Sequence, residues 1–239
     1  MLKRRTQTNE PARCATLLPL LATLPQPLAL IEVGASAGLC LLMDRYAYDF
    51  GRRRIPAVPP AQDAPVFACR ANDHTPLPTK GIEVAWRAGL DLDPVDVADP
   101  DSVAWLESLV WPGEGRRLEL LRAAIAVAQL DPPRIVKGDL RHDLRALADQ
   151  APADATLVIF HTAVLSYLTD TQDRRAFGDD VRTLGARWVA NEGEGVIDGS
   201  GHSPPWPSGR FLLMLDGEQV AWTDPHGASI DWLPPTASK

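Results

Sequence analysis

The chain has 239 residues, of which 45% are hydrophobic and 23% charged, enough for a domain with a well-buried core. These fractions are ordinary for a globular protein and argue against a disordered or membrane-embedded chain. A formal net charge of −7 leaves no basic face for nonspecific nucleic-acid binding, so neither nucleic acid nor a membrane is an expected partner.

The cysteine usage and the N-terminal sequence predict a cytoplasmic protein. Cys14, Cys40 and Cys69 are odd in number, widely spaced and in no paired motif, which is typical of a reducing compartment. Polar residues follow the basic residues 3–5, where a signal peptide needs an apolar segment. The apolar run 17–31 is broken by prolines, so it does not predict a transmembrane span.

Apolar periodicity in the first half of the chain predicts helices that alternate with buried strands. Residues 28–33 form a short apolar run that ends at glycine, the pattern of a strand buried in a parallel sheet. Residues 46–80 are rich in proline and are predicted to form an irregular insertion. The other predicted elements are helices over 11–24 and 39–46, a strand over 82–90, and helices over 105–110 and 116–130.

The second half of the chain continues the alternation and ends in a hairpin. Asp216-Gly217 is a two-residue hairpin signal between apolar runs at 210–215 and 219–223. The loop 193–209 is rich in glycine, serine and proline, so it is either a mobile lid or a plain surface loop. The other predicted elements are strands over 134–137, 155–160 and 186–190, and helices over 143–149 and 177–184.

This order of elements predicts an α/β fold in a single domain over 1–239. The sheet is expected to be mostly parallel and doubly wound, with a C-terminal antiparallel hairpin. Ligands of such sheets bind at the carboxyl ends of the strands. The polar residues and glycine at the predicted strand ends are Glu32, Gly34, Asp91, Asp139, His161 and Glu192.

The stretch ALIEVGASAGL, residues 29–39, supports two interpretations. Its core matches G-x-S-x-G, the nucleophile elbow of a hydrolase, with Ser36 as the nucleophile. The short segment before it contains no glycine-rich stretch for an oxyanion hole, so the context of an elbow is absent. The other interpretation is a nucleotide-cofactor turn preceded by an acid. It is not a G-x-G-x-x-G dinucleotide loop, because Gly34 and Gly38 are spaced G-x-x-x-G.

The same stretch resembles motif I of the class I S-adenosylmethionine-dependent methyltransferases, (D/E)-x-G-x-G-x-G. Glu32, Gly34 and Gly38 match the motif, and Ser36 takes the place of the middle glycine. The resemblance implies a Rossmann-like class I methyltransferase fold with S-adenosylmethionine as the cofactor. It also implies that Glu32 lies near the cofactor's ammonium group and that the glycines let the backbone approach the cofactor.

Two acids further along the chain resemble the remaining cofactor contacts of these enzymes. Asp91 resembles the acid after strand two that takes the ribose hydroxyls. Asp139, followed by Leu140, resembles the acid after strand three that accepts from the adenine amino group. Asp49 is the alternative ribose acid if residues 46–50 form strand two. The terminal hairpin resembles the last two strands of that fold.

At a closer level, the sequence is identified as a member of an uncharacterised bacterial family, domain of unknown function 2332 (DUF2332). The stretches that carry this resemblance are QTNEPARC, EVGASAGLCLLMDRY, RAGLDLDPVD, WLESLVWP, FHTAVLSYL and DPHGASIDW. The resemblance names no substrate. It implies that the N-terminal helical segment, residues 1–27, is truncated relative to the family.

Several polar residues are candidates for the acceptor side of the site. His161 ends a predicted strand, and its neutral imidazole is the base that we nominate. A histidine satisfied by backbone bonds is the alternative. Tyr167 and Glu192 are candidates for the substrate pocket, although a core position for Tyr167 and a solvated position for Glu192 explain them as well. Asn9 and Glu10 are expected either to fold over the cofactor or to form a helix N-cap region.

Together these residues predict an S-adenosylmethionine-dependent methyltransferase that acts on an unidentified small acceptor. Two alternatives stay open. One is a non-catalytic methyltransferase-like domain that binds a nucleoside or a partner, and the other is a serine hydrolase that uses Ser36. The histidines show no metal-ligand spacing, so no metal is predicted.

Overall fold

Twelve strands and five α-helices make up the part of the chain that the computed structural model describes, residues 9–197 and 206–234. The strands are β1 (Leu28–Val33), β2 (Ala47–Asp49), β3 (Arg54–Ile55), β4 (Val66–Ala68), β5 (Arg70–Ala71), β6 (Val84–Asp91), β7 (Ile135–Lys137), β8 (Thr156–Thr162), β9 (Arg187–Glu192), β10 (Phe211–Leu215), β11 (Glu218–Thr223) and β12 (Ser229–Trp232). The helices are α1 (Cys14–Leu21), α2 (Pro100–Ser108), α3 (Gly115–Leu130), α4 (Leu144–Ala148) and α5 (Thr171–Thr183), with 3-10 segments at Pro11–Arg13, Leu39–Arg45 and Leu165–Tyr167. None of these helices combines the length and apolar character that crossing a bilayer requires.

Nine of the described strands form one sheet, in the order β5-β12-β11-β10-β9-β8-β1-β6-β7. The strands β7, β6, β1, β8 and β9 run parallel to one another. From β1 the chain adds β6 and then β7 on one side of the sheet. It later adds β8 and then β9 on the other side of β1. The strand order therefore reverses between β1 and β8, which leaves a crevice at their carboxyl ends. The predicted α/β class with a mostly parallel sheet is confirmed.

Helices cover both faces of this sheet, so β1 is buried along its whole length. Leu28 and Leu30 point to the first face, which packs against α1, α3 and the 3-10 segment that stands where a helix was predicted after β1. Ile31 and Val33 point to the second face, which packs against α4 and α5. Because side chains alternate along a strand, Glu32 lies on the first face, near the carboxyl end of β1.

The C-terminal strands extend the sheet in antiparallel fashion, as the hairpin signal predicted. β10 pairs with β9, β11 with β10, and β12 with β11. Asp216 and Gly217 close the β10–β11 hairpin with φ angles of +54° and +92°, the positive values that a type I′ turn requires. β11 consequently runs parallel to β9 and ends at the same edge of the sheet. Part of the predicted loop 193–209 lies outside the described residues.

The predicted irregular insertion over 46–80 contains ordered strands. β2, β3 and β4 form a small separate sheet, and β5 joins the edge of the large sheet beside β12. Tyr46, Tyr48 and Phe67 are buried there, with their rings packed against one another. Strands of two or three residues are too short to produce a recognisable period, so the apolar pattern could not reveal them.

Two helices begin earlier than the periodicity predicts, because caps set their first turns. The Asp99 carboxylate accepts hydrogen bonds from the amides of Asp101 and Ser102 at 3.3 and 3.1 Å. Pro100 then occupies the first helical position of α2, where its missing N–H costs no hydrogen bond. Asp170 caps α5 in the same manner.

Candidate functional site

The carboxyl ends of the parallel strands meet at one edge of the large sheet, and most of the predicted site residues lie there. Glu32 is near the end of β1, Asp91 ends β6, His161 is near the end of β8, and Glu192 ends β9. All four side chains are buried. Such a concentration of buried polar groups needs either an internal hydrogen-bond network or a ligand to satisfy it.

The glycine loop, residues 34–38, leaves β1 along a left-handed path. Gly34, Ser36 and Gly38 have φ angles of +70°, +52° and +70°. The amide of Gly34 donates to the carbonyl of Leu90 at 2.8 Å, so the loop begins as a continuation of the pairing between β1 and β6. A left-handed conformation is unfavourable for a residue with a side chain, such as Ser36, so neighbouring groups must hold the loop in shape.

Asp91 holds this loop through the backbone. Its Oδ2 accepts from the Ser36 amide at 2.7 Å, and its Oδ1 accepts from the Asp93 amide at 2.8 Å. The Val95 amide donates in turn to the Ser36 carbonyl at 3.0 Å. Both oxygens of the Asp91 carboxylate are therefore engaged within the chain, whereas the methyltransferase resemblance expects them to accept from ribose hydroxyls.

Asp49, the alternative ribose acid, lies in the small sheet. It ends β2, and its carboxylate accepts from Gly51 N at 2.9 Å and from Arg54 Nε at 2.8 Å. The neighbour of β1 that comes next in the large sheet is β6, which ends at Asp91. Of the two acids, Asp91 is thus the one at the end of the second parallel strand.

At two glycines of the loop, side chains of the protein occupy the space where a Cβ atom would stand. A Cβ atom added to Gly34 would lie 2.5 Å from Cγ2 of Val164, and one added to Gly38 would lie 2.8 Å from Cγ of Pro133. Both distances are far below ordinary carbon contacts, so an alanine at either position forces its neighbour to move. Val164 follows β8, so it lies at the crevice where the strand order reverses.

Glu32 is a buried carboxyl group whose Oε2 atom has no hydrogen-bond partner among the described residues. Burial, followed by the nearby Cys40 and Asp91, raises its pKa well above the ordinary value, while the positive charge of Arg13 acts in the opposite direction. Glu32 lies near the carboxyl end of β1, next to the crevice between β1 and β8 where the strand order reverses. A polar ligand at this edge would supply the missing partner.

Three further buried polar atoms in the described part of the chain lack a partner at the same edge of the sheet. They are Ser36 Oγ in the glycine loop, and Asn191 Nδ2 and Glu192 Oε2 at the end of β9. Sequence reasoning did not single out Asn191, whose Oδ1 accepts from Thr223 Oγ1 at 2.7 Å. Because native proteins leave few buried polar atoms unsatisfied, their clustering here favours a ligand site.

Asn9 clamps the glycine loop from the N-terminal side of the chain. Its Nδ2 donates to the Ala35 carbonyl at 3.3 Å, and its Oδ1 accepts from the Leu39 amide at 3.0 Å. Asn9 therefore lies directly against the loop. Glu10 instead forms the N-cap that was the alternative for this region, because its side chain accepts from the Ala12 amide at 3.2 Å at the start of the segment Pro11–Arg13.

Arg13 is a buried cation at this edge that sequence reasoning left without a role, although it belongs to the stretch QTNEPARC. Its Nη1 donates to the carbonyl and the Oγ1 of Thr162, both at 3.2 Å, and its Nε donates to the Pro225 carbonyl at 2.8 Å. Its guanidinium carbon also lies 5.7 Å from the centroid of the Phe211 ring. Arg13 thus ties the end of β8 to the turn that follows β11.

Glu10, in this N-terminal segment, is another buried acid, and it is paired with Arg117. Its Oε2 accepts from Arg117 Nε at 2.9 Å. The same oxygen lies 2.8 Å from Arg117 Nη2, in an ion pair, and 3.6 Å from His226 Nδ1. Burial by itself would raise the pKa of Glu10, but His226, Arg117 and the amide of Ala12 together hold it below the ordinary value.

His161 is buried, with a partner on each ring nitrogen. Trp188 Nε1, which can only donate, lies 2.9 Å from His161 Nε2, so Nε2 is the acceptor and Nδ1 carries the proton. Nδ1 then donates to Glu192 Oε1 at 2.6 Å. The nominated role as a base does not fit this arrangement, because neither ring nitrogen is left to take a proton from a substrate. His161 is a satisfied histidine, with side-chain rather than backbone partners.

Glu192 fixes the loop that follows β8. Besides His161, its Oε1 accepts from the amides of Val164 and Leu165 at 2.8 and 3.1 Å. It is fully buried, so the solvated position considered from the sequence is wrong. Through these bonds Glu192 positions Val164, and the side chain of Val164 packs against Gly34 of the glycine loop.

Asp139, Leu140 and Tyr167 lie further out. The Asp139 carboxylate accepts from Arg141 Nη2 at 2.6 Å, and the Arg141 side chain and amide lower its pKa to about 2. Leu140 is partly buried on the second face. Tyr167 is 68% exposed, so the core position that was the alternative to its predicted place in the substrate pocket is wrong.

Residues 1–232 match a family model described as an uncharacterized protein conserved in bacteria, DUF2332. No curated protein and no solved structure matches the chain. The family match includes the glycine loop and every strand of the large sheet, and it names no activity.

Proposed function

The chain belongs to the bacterial family DUF2332, as its motifs predicted, and from that premise we propose that it binds S-adenosylmethionine at the carboxyl edge of the large sheet. We further propose that it transfers the methyl group to a small acceptor. The observation that carries the proposal is the end of β1. There a buried acid, Glu32, whose Oε2 lacks a partner among the described residues, precedes a left-handed glycine loop where the strand order reverses. Doubly wound sheets bind nucleotide ligands at such reversals.

The residues at this edge carry charges and hydrogen-bonding groups that match those of the cofactor. The carboxyl group of Glu32 matches the ammonium group, and a cation beside it would favour its ionised form. Ser36 Oγ is an unsatisfied polar atom within the described loop, and Gly34 and Gly38 carry no Cβ atom that would hold a ligand away from the backbone. Asp139, beyond the end of β7, is the candidate for the adenine amino group.

Contacts made by two residues, Asp91 and Val164, have to change for the cofactor to bind. The ribose hydroxyls would compete with the amides of Ser36 and Asp93 for the Asp91 carboxylate. The side chain of Val164 would have to leave its position against Gly34. Leu140, beside the proposed adenine site, supplies apolar surface and needs no such change.

The contribution of the chain to catalysis would be alignment and exclusion of water. When bound, S-adenosylmethionine supplies a methyl group that its sulfonium centre activates for displacement. Glu32 and Asp91 would hold the two ends of the cofactor from buried positions, so that the acceptor meets the methyl group in one orientation. His161 is given no proton-transfer role, since Trp188 and Glu192 occupy both of its nitrogens.

Asp91→Asn tests this proposal by calorimetric titration with S-adenosylmethionine and S-adenosylhomocysteine. The wild-type chain is expected to bind in the micromolar range. The variant keeps an acceptor oxygen for the Ser36 amide but loses the charge, and we expect binding at least about tenfold weaker, since a hydrogen bond to a charged group is worth about 1.5–3 kcal/mol. Asp93→Asn, an exposed acid in the same turn, is the matched control and should bind like the wild type. No binding by the folded wild-type chain would refute the proposal.

Ser36→Ala separates the cofactor loop from the alternative hydrolase. A serine nucleophile needs a base within hydrogen-bond distance, and Ser36 Oγ has no partner in the described ranges. In a cofactor loop, removal of this unsatisfied buried hydroxyl should leave the free energy of unfolding unchanged or raise it by about 1 kcal/mol. Urea unfolding measures that change, and labelling by a fluorophosphonate probe, lost in the variant, would instead support the hydrolase.

A further inference from the structure

Arg13 is a buried cation whose hydrogen bonds all go to neutral acceptors. It directly precedes α1 and is only 6% exposed. Its Nε and Nη1 donate to the carbonyls of Pro225 and Thr162 and to the Thr162 hydroxyl, and no carboxylate of the described residues forms an ion pair with it. Arginine is rarely buried without an ionic partner. The surroundings of Arg13 therefore lack an anion.

Two acids in the region do not supply that anion. Glu10, three residues before Arg13, pairs with Arg117 instead. Glu32 lies on the first face of the sheet, as Arg13 does, but burial raises the pKa of its carboxyl group well above the ordinary value and so favours the neutral form. Neither acid pairs directly with the Arg13 guanidinium.

Asn191 provides an unused hydrogen-bond donor beside Arg13. Thr162 and Asn191 are register partners on the parallel strands β8 and β9, so their side chains lie next to each other on the same face. Thr223 Oγ1 donates to Asn191 Oδ1 at 2.7 Å, which leaves Nδ2 without a partner among the described residues. Because Asn191 is fully buried, this donor needs an acceptor.

The guanidinium group of Arg13 has one edge left for a ligand. The ring of Phe211, 5.7 Å from the guanidinium carbon, covers one of its flat faces. Nε and Nη1 are engaged by Pro225 and Thr162, whereas Nη2 donates to no atom of the described part of the chain. Thr162 is bonded to Arg13 and adjoins Asn191, so the two unused donors belong to one site.

We propose that Arg13 and Asn191 form a binding site for a small carboxylate. One carboxylate oxygen accepts from Arg13 Nη2 and the other from Asn191 Nδ2, which satisfies both donors and pairs the buried charge. A carboxylate matches the single charge of Arg13. Phosphate carries roughly 1.5–2 negative charges at neutral pH and would leave excess negative charge in a buried place. The ligand enters where Arg13 keeps its small exposed surface.

A carboxylate can reach this site from two sources. Thr162 and Asn191 lie at the carboxyl edge that also holds the glycine loop. The ligand is therefore either the amino-acid carboxylate of the proposed cofactor or a separate small acid, and only the first source rests on the proposed function. The site itself uses neither the Asp91 oxygens nor the face of Gly34.

Acetate is the probe for this site, with acetamide as the neutral isostere and inorganic phosphate as the more highly charged anion. Binding is measured by NMR titration of the full chain at pH 7 and constant ionic strength, following the backbone amides of β8 and β9. Arg13→Gln removes the charge. Asn191→Asp keeps the oxygen that Thr223 contacts and replaces the free donor by a carboxylate oxygen. Arg116→Gln, at an exposed position of α3, is the matched control.

The wild-type chain is expected to bind acetate saturably in the millimolar range, as its small size implies, and at least about tenfold more tightly than acetamide or phosphate. Arg13→Gln should weaken binding by about 10- to 150-fold, the range for a hydrogen bond to a charged group. Asn191→Asp should weaken it at least as much, because its own carboxylate repels acetate, and Arg116→Gln should not.

Asn191→Asp is nearly isosteric, so it decides the question even if Arg13→Gln fails to fold. No saturable binding of acetate, equal binding of acetamide, tighter binding of phosphate, or unchanged affinity in folded Asn191→Asp would each overturn the proposal.

Competition with S-adenosylhomocysteine identifies the source of the carboxylate. If this nucleoside binds and displaces acetate, the cofactor supplies the carboxylate; if it binds without displacing acetate, a separate acid does. If acetate binds but the nucleoside and S-adenosylmethionine do not, the carboxylate site stands and the proposed function is refuted. If they bind but acetate does not, the proposed cofactor site stands and the carboxylate site is refuted.

Discussion

Glu32→Gln is expected to raise the free energy of unfolding at pH 7 by up to about 3 kcal/mol, since neutralising a carboxyl group costs about 1.4 kcal/mol for each pH unit above its ordinary pKa of 4.5. Glu32 is buried, and its Oε2 has no partner among the described residues. In the unfolded chain the carboxyl group is ionised and hydrated at this pH, so folding has to neutralise it or bury its charge. Glutamine has nearly the same shape and carries no charge, so the variant avoids that cost.

The pH dependence of this difference identifies its cause. Burial raises the pKa of Glu32 in the folded state well above its ordinary value of 4.5. The folded state therefore binds a proton more tightly than the unfolded state, and this contribution to stability is full below the ordinary pKa and is lost as the pH rises toward the folded pKa. The advantage of Glu32→Gln should thus be small near pH 4 and should grow toward pH 7.

Urea unfolding at several pH values between 4 and 8 measures this trend. Glu218→Gln, at an exposed position of β11, is the matched control and should change stability little at any pH. If Glu32→Gln instead lowers stability at pH 7, the carboxylate is ionised in the folded chain and paired with Arg13. The same variant should bind S-adenosylmethionine more weakly, because proteins commonly retain a destabilising group where function needs it.

The local parts of the candidate site could be predicted from the sequence. The run at 28–33 is β1 with the predicted bounds, because a buried strand that ends at glycine is recognisable without its neighbours. The Asp216-Gly217 hairpin follows from turn chemistry alone. The polar residues at the strand ends meet at one edge because parallel strands place all their carboxyl ends together. These features depend on residues close in sequence and on a general rule of sheet topology.

The contacts that decide the state of the site could not be predicted, because they join distant residues. Asp91 binds the amide of Ser36, 55 residues away, so an acid that resembles a ribose ligand is engaged by the loop itself. Arg13 binds Thr162 across 149 residues, and no local pattern marks that arginine as buried. Sequence showed which residues gather at the edge, whereas their hydrogen-bond partners depend on how the elements pack.

His161 illustrates the same limit on the acceptor side. A histidine at the end of a strand suggests a base, but its chemistry depends on what occupies its two nitrogens. Trp188 and Glu192, from the neighbouring strand, take both.

Gly34→Ala is expected to lower the free energy of unfolding by about 2–5 kcal/mol. About 1–2 kcal/mol comes from placing a side chain at a φ of +70°. The rest, about 1–3 kcal/mol, comes from the new Cβ atom, which would lie 2.5 Å from Cγ2 of Val164. Val164 is branched at Cβ and its loop is held by Glu192, so it cannot rotate freely out of the way.

Gly51→Ala separates these two contributions. Gly51 has a φ of +75°, but a Cβ atom added there would meet nothing within 4 Å, so only the backbone cost of about 1–2 kcal/mol should appear. Val164→Ala combined with Gly34→Ala should recover about 0.5–3 kcal/mol beyond the sum of the two single changes, as measured in a double-mutant cycle by urea unfolding. If Gly34→Ala costs no more than Gly51→Ala, Val164 does not press on the loop in solution. The crevice at the reversal of strand order would then already have room for a ligand, and only the hydrogen bonds of Asp91 would stand between the loop and a bound ribose.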